Sequence, residues 1–111
     1  MIKKTASLSL VGKALVAVSP YDVALQKLGS DIRDARKRRR LTIALLAERA
    51  GITAMTISKI EKGHPGTSIG AYASVLFVLG MIDRLRDIAD ASHDLTGQML
   101  ATERLPKRVR I

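Results

Sequence analysis

The chain has 111 residues, 47% of them apolar, which is one domain's worth of core with room for a short arm at each end. Tyr21, Tyr72 and Phe77 are its three aromatic residues, so the core is aliphatic, and the abundance of Ala and Leu favours helices over strands. There is no cysteine, which excludes disulfides, thiolate metal sites and cysteine nucleophiles, and a net charge of +9 points to a polyanionic partner.

Charge is segregated along the chain. Six of the eight residues 33–40 are basic: Arg33, Arg36, Lys37, Arg38, Arg39 and Arg40. Between residues 81 and 103, Asp83, Asp87, Asp90, Asp94 and Glu103 oppose only Arg84 and Arg86, and the ending turns basic again with Arg104, Lys107, Arg108 and Arg110. The start, Met1-Ile-Lys-Lys followed by an apolar stretch to Val18, has the outline of a signal peptide. Lys13 interrupts that stretch, no small-x-small cleavage site is clear, and fourteen residues fall short of the ~20 that span a bilayer. Residues 1–20 are therefore expected to be an arm rather than a membrane segment.

From Tyr21 the chain reads as consecutive helices. Asp22 is expected to cap the first, with Val23, Ala24, Leu28, Ile32 and Ala35 at helical spacing and a break at Gly29-Ser30. Thr42 suits the N-cap of a helix over 43–50, which Gly51 ends. Thr53 caps the next, over 54–62, closed by Gly63, and His64-Pro65-Gly66 forms a turn. Ser68 caps a helix over 69–79 with Ile69, Tyr72, Ala73, Leu76 and Leu79 on one face; Gly80 breaks it. A fifth helix runs to about residue 91 with Ile82, Leu85 and Ile88 inward, and a short helix over 94–103 precedes a tail. The expected organisation is an arm over 1–20, a helical domain over 21–91 and a C-terminal extension over 92–111.

Residues 43–62 carry the clearest motif: two short helices joined by a tight glycine turn, the helix-turn-helix pattern whose second helix enters the DNA major groove. Ala47 is small where the helices cross, Gly51 supplies a positive φ, Ile52 plugs the turn, and Ile57 and Ile60 pin the second helix to the core. Ala54, Met55, Thr56, Ser58, Lys59 and Lys62 are left for its outward face, with Ala54, Met55, Thr56, Ser58 and Lys59 as the candidate base readers. Arg40, Thr42, Lys62, His64, Thr67 and Ser68 are candidate phosphate contacts. Lys37, Arg38, Arg39 and Arg40 are consecutive and so point all round a helix, and cannot all face DNA.

The run Leu41-Thr42-x-x-Leu45-Leu46-Ala47-Glu48-Arg49-Ala50-Gly51-Ile52-Thr53-x-x-Thr56-Ile57-Ser58-x-Ile60-Glu61-x-Gly63 resembles the Xre/Cro helix-turn-helix repressors. The resemblance covers roughly half the chain and implies an all-α, five-helix, lambda-repressor-like DNA-binding domain acting on double-stranded DNA as a homodimer in the cytoplasm. It also implies a structural ion pair between Arg36 and Glu61. Three positions depart from the family: Ile43 stands where glutamine is frequent, and Ala54 and Met55 stand at the first reading positions. Apolar side chains there touch thymine methyls but make no bidentate base contact.

Gly63-His64-Pro65-Gly66-Thr67-Ser68-Ile69, Val75-Leu76-x-x-Leu79-Gly80-Met81-x-Asp83-Arg84-Leu85 and the ending Arg104-Leu105-Pro106-Lys107-Arg108-Val109-Arg110 are similar to the antitoxin regulators paired with Hip-type Ser/Thr kinase toxins. That likeness implies autorepression and a kinase partner, with Asp83, Asp87 and Asp90 as candidate contacts. The alternative is a protein-interaction module that neutralises the toxin, with DNA binding secondary. The two histidines lack metal-ligand spacing, Ser92-His93-Asp94 is sequence adjacency rather than a triad, and no nucleotide loop is present. No enzyme, cofactor or metal is expected.

Overall fold

The computed structural model describes residues 19–104; residues 1–18 of the expected 1–20 arm and residues 105–111 of the expected extension lie outside the described residues, while Ser19 and Pro20 cap and open the first helix. Six α-helices and one 3-10 turn account for the regular structure among them: α1 Pro20–Arg38, α2 Ile43–Ala50, α3 Ala54–Glu61, α4 Ile69–Val78, α5 Ile82–Arg86, the turn Ala91–His93 and α6 Leu95–Arg104. The all-α expectation holds.

Each helix start in the motif follows from a local hydroxyl. Thr42, Thr53 and Ser68 sit in extended backbone, and their oxygens accept the N–H of Leu45 at 3.0 Å, Thr56 at 3.1 Å and Ala71 at 3.1 Å. At α1 the cap is Ser19 and not Asp22. Ser19 Oγ accepts the Asp22 N–H at 3.2 Å and donates to Asp22 Oδ2 at 3.0 Å, with Pro20 opening the helix. Asp22 thus accepts the hydroxyl proton of the residue that caps its own N–H, and the helix begins three residues earlier than an Asp22 cap would start it.

Four helices end in the same way. The residue after the cap region turns left-handed while the next N–H reaches back five residues: Leu41 to Arg36 O, Ile52 to Ala47 O, His64 to Lys59 O and Met81 to Leu76 O. Glycine takes the left-handed position three times, at Gly51, Gly63 and Gly80. At the end of α1 it is Arg40, with φ 54°, and Arg40 is the one non-glycine residue with positive φ among those described.

The expected break at Gly29-Ser30 does not occur, since α1 runs through it unbroken. Gly29 is buried because α1 crosses the end of α3 there at backbone contact. A Cβ on Gly29 would overlap Ile60 O and lie 2.7 Å from Glu61 O and 2.8 Å from Gly63 N. The glycine serves a close approach, not a turn.

The core is a single cluster from α1 to α4: Ile32 and Ala35; Leu46 and Ala47; Ile57 and Ile60; Tyr72, Val75, Leu76 and Leu79. Four expected inward positions are overturned. Val23, Ala24 and Ile69 stand in solvent because the first turns of their helices project past the cluster, and Ile88 lies beyond the end of α5. The fifth helix is correspondingly short, stopping at Arg86 rather than near residue 91.

Candidate nucleic-acid interface

The recognition unit is α2, the turn at Gly51, and α3. Ile52 is half-buried against the core, and the fully buried Ile57 and Ile60 fix the rotation of α3. That rotation leaves Ala54, Met55 and Lys59 exposed on α3, with Lys62 exposed just beyond it. Thr56 and Ser58 are half-buried, and the Thr56 hydroxyl bonds the Thr53 hydroxyl at 2.9 Å. The outward face is therefore narrower than the sequence suggested, because the cap recruits Thr56 as well as its backbone.

Arg36 and Glu61 meet as the resemblance implied. Arg36 Nε donates to Glu61 Oε2 at 2.6 Å and Nη2 to Oε1 at 3.0 Å, while Nη1 donates to Leu41 O at 3.0 Å. Both side chains are less than a tenth exposed. The hydrogen bond to Glu61 raises the guanidinium above its ordinary value against the opposing cost of desolvation. The pair joins the end of α1 to the end of α3, two turns along from the Gly29 contact, so it positions α3, and the guanidinium is committed to Glu61 and Leu41 O.

The candidate phosphate groups separate into two sets. Arg40, Thr42, Lys62, His64 and Ser68 are exposed. The Thr42 and Ser68 oxygens accept from backbone, which leaves each hydroxyl proton free to donate. His64 Nδ1 accepts the Gly66 N–H at 3.0 Å, and its carbonyl accepts the Tyr72 hydroxyl at 3.2 Å, so the loop over 63–67 is braced from both sides. Burial pushes the Tyr72 phenol up, keeping it a donor. Thr67 differs from these: its hydroxyl oxygen is buried with no hydrogen-bond partner, so the hydroxyl is not presented at the surface as those of Thr42 and Ser68 are. Arg39 stays exposed and folds back along α1, donating from Nη1 to Ala35 O at 2.8 Å.

The acidic candidates Asp83, Asp87 and Asp90 are all exposed. Arg86 pairs with the first two, at 3.3 Å and 3.2 Å. The Asp90 carboxyl caps the 3-10 turn, and its bonds from the Ser92 hydroxyl and N–H hold it below the ordinary carboxylate range. These carboxylates are thus partly occupied by their own neighbours. Among the described residues no group of three or more acidic or histidine side chains could hold a metal ion, and no helix is long and apolar enough to cross a membrane.

A small α-helical core carrying this capped two-helix unit is the architecture of a helix-turn-helix domain. Residues 32–72 match the helix-turn-helix family. A 43-residue stretch, 39% of this chain, is 44% identical to part of RghRB, an uncharacterized HTH-type transcriptional regulator of Bacillus subtilis (strain 168). The matched stretch spans 31% of that relative's length. No solved structure matches the chain.

Proposed function

We propose that the chain is a sequence-specific DNA-binding transcriptional repressor that acts as a homodimer on its own operon. The observation that carries this reading is α3: it is held to the core by Ile57, Ile60 and the Arg36–Glu61 pair while Ala54, Met55 and Lys59 face solvent. The hydroxyl-capped starts of α2, α3 and α4 supply N–H groups suited to phosphate. Selection of DNA from a random pool at near-physiological salt tests it. A two-fold symmetric motif with half-sites about 34 Å apart supports the reading, and bulk binding without enrichment rejects it. Lys59→Ala lowers affinity for the selected site by about 1–3 kcal/mol if Lys59 reads a base; unchanged affinity removes it from that role.

Arg40 adds a prediction of opposite signs. Its left-handed backbone costs about 1–2 kcal/mol, at a position where three other helices use glycine. Arg40→Gly relieves that strain against about 0.4–1 kcal/mol of extra unfolded-chain entropy, so the melting temperature stays equal or rises. DNA affinity falls for all sequences, and the salt slope drops by about 1, if Arg40 holds a phosphate. A lower melting temperature with unchanged binding would show that the arginine is retained for the fold.

The second reading, neutralisation of a Hip-type kinase toxin, is supported by the exposed acidic residues Asp83, Asp87 and Asp90 and by the apolar tip of α3 at Ala54 and Met55. Co-expression with a neighbouring kinase reading frame tests it: a complex stable without DNA, and weakened when the three aspartates become asparagine, supports this reading.

A further inference from the structure

The rotation of α3 decides which of its residues stands farthest from the core. Ile57 and Ile60 are fully buried. At 3.6 residues per turn, Met55 lies within about 10° of directly opposite the midpoint between them. It is 69% exposed, and no other large apolar side chain of α2, the turn or α3 stands in solvent. Lys59 and Lys62, one and two turns further on, are exposed along the same stripe.

Few groups on this face can hydrogen-bond a base edge. Ala54, exposed beside Met55, has none. The Thr56 hydroxyl is half-buried and bonded to that of Thr53 at 2.9 Å. Ser58 is half-buried and lies about 60° to one side of Met55. Glu61 is held by Arg36 on the inner side of the helix. The centre of the face is therefore a thioether chain flanked by two ammonium groups. Nothing beside it carries the paired donor and acceptor that picks out adenine, and Lys59 only donates.

An apolar end set among cations fits a surface that is apolar at one point and anionic around it. In the DNA major groove that point is the C5-methyl of a pyrimidine, bordered by phosphates. Methionine is unbranched and polarizable, so it moulds itself around such a group. We propose that Met55 reads a C5-methyl group, of thymine or of 5-methylcytosine, at one position of each half-site, and that this contact sets the base preference of α3. The proposal rests on the DNA-binding reading. Thymine and methylated cytosine present the same methyl, so methylation of a cytosine at that position strengthens binding.

The test starts from the site that random-pool selection returns. Each thymine in turn is replaced by uracil in both half-sites, which removes only the methyl group, and binding is followed by fluorescence anisotropy. One position is expected to weaken wild-type binding by about fourfold per half-site, the worth of one buried methyl. Met55→Ala loses that penalty and Met55→Leu, still apolar, keeps it. Both variants alter an exposed residue, so their melting curves are expected to match the wild type. With C·G written at the same position, 5-methylcytosine binds more tightly than cytosine by a similar factor, again only while residue 55 is apolar and long. The tighter of the thymine and 5-methylcytosine duplexes identifies which source of the methyl the site favours. Uracil tolerated at every position, or a penalty equal in wild type and Met55→Ala, overturns the proposal. So does a Met55→Ala protein that keeps its DNA preference but no longer holds a co-expressed kinase, since the apolar tip is then a protein contact. A selection without an enriched motif rejects this proposal together with the DNA-binding reading; a motif indifferent to its methyl groups rejects this proposal alone.

Discussion

Replacing Glu61 with alanine is expected to cost about 3–5 kcal/mol, because it strands a charged Arg36 that is less than a tenth exposed. Two of the three Arg36 hydrogen bonds vanish, and only the one to Leu41 O remains. For a domain of this size about 1 kcal/mol shifts the melting temperature by roughly 4–8 °C, so the midpoint falls by at least about 12 °C. Stability of small domains is about 5–15 kcal/mol in total, so a sizeable unfolded fraction is expected on warming. Removing both charges, as Arg36→Met with Glu61→Leu, is expected to cost clearly less, since no buried charge is left alone. Thermal melts of the three proteins decide this. If the single and double variants melt together, the pair's charges are not what the fold depends on. DNA affinity of Glu61→Ala, measured below its melting temperature, also falls, because the end of α3 loses its tie to α1.

Gly29→Ala sets two effects against each other. Alanine in a helix interior is favoured over glycine by about 1 kcal/mol. Here the added methyl meets backbone, with Glu61 O at 2.7 Å and Gly63 N at 2.8 Å, and backbone held at both ends cannot rotate aside. Overpacking of this kind costs about 1–3 kcal/mol or more, so the clash wins and the variant melts lower. Gly70→Ala is the internal control. It lies in the first turn of α4, and its added methyl would meet only Ser68 Oγ at 3.8 Å, so propensity acts alone and stability is unchanged or slightly higher. Equal gains at the two positions would mean that α1 and α3 do not touch at backbone.

The features legible in the sequence are those whose physics spans three or four residues. Thr42, Thr53 and Ser68 cap the helices expected of them, because an N-cap needs only its own hydroxyl and the N–H three residues on. Gly51 ends α2 for an equally local reason. The Arg36–Glu61 pair, 25 residues apart, came from likeness to a family and not from spacing. At α1 the local rule erred between two competent caps, Ser19 and Asp22, because the two side chains bond each other and the sequence does not say which residue leads.

By itself, the sequence determined the helical character of the described residues, the order and starts of the motif helices, and a strong excess of positive charge. Periodicity, capping and charge are properties of neighbours along the chain. Only the tertiary structure decided that Gly29 is a contact and not a break, that Arg40 fills a position left to glycine elsewhere, and that Thr67 is enclosed while Ile69 and Ile88 face water. Each depends on which segment, tens of residues away, arrives at that point, and helical periodicity fixes a residue's direction on its helix but not what lies opposite.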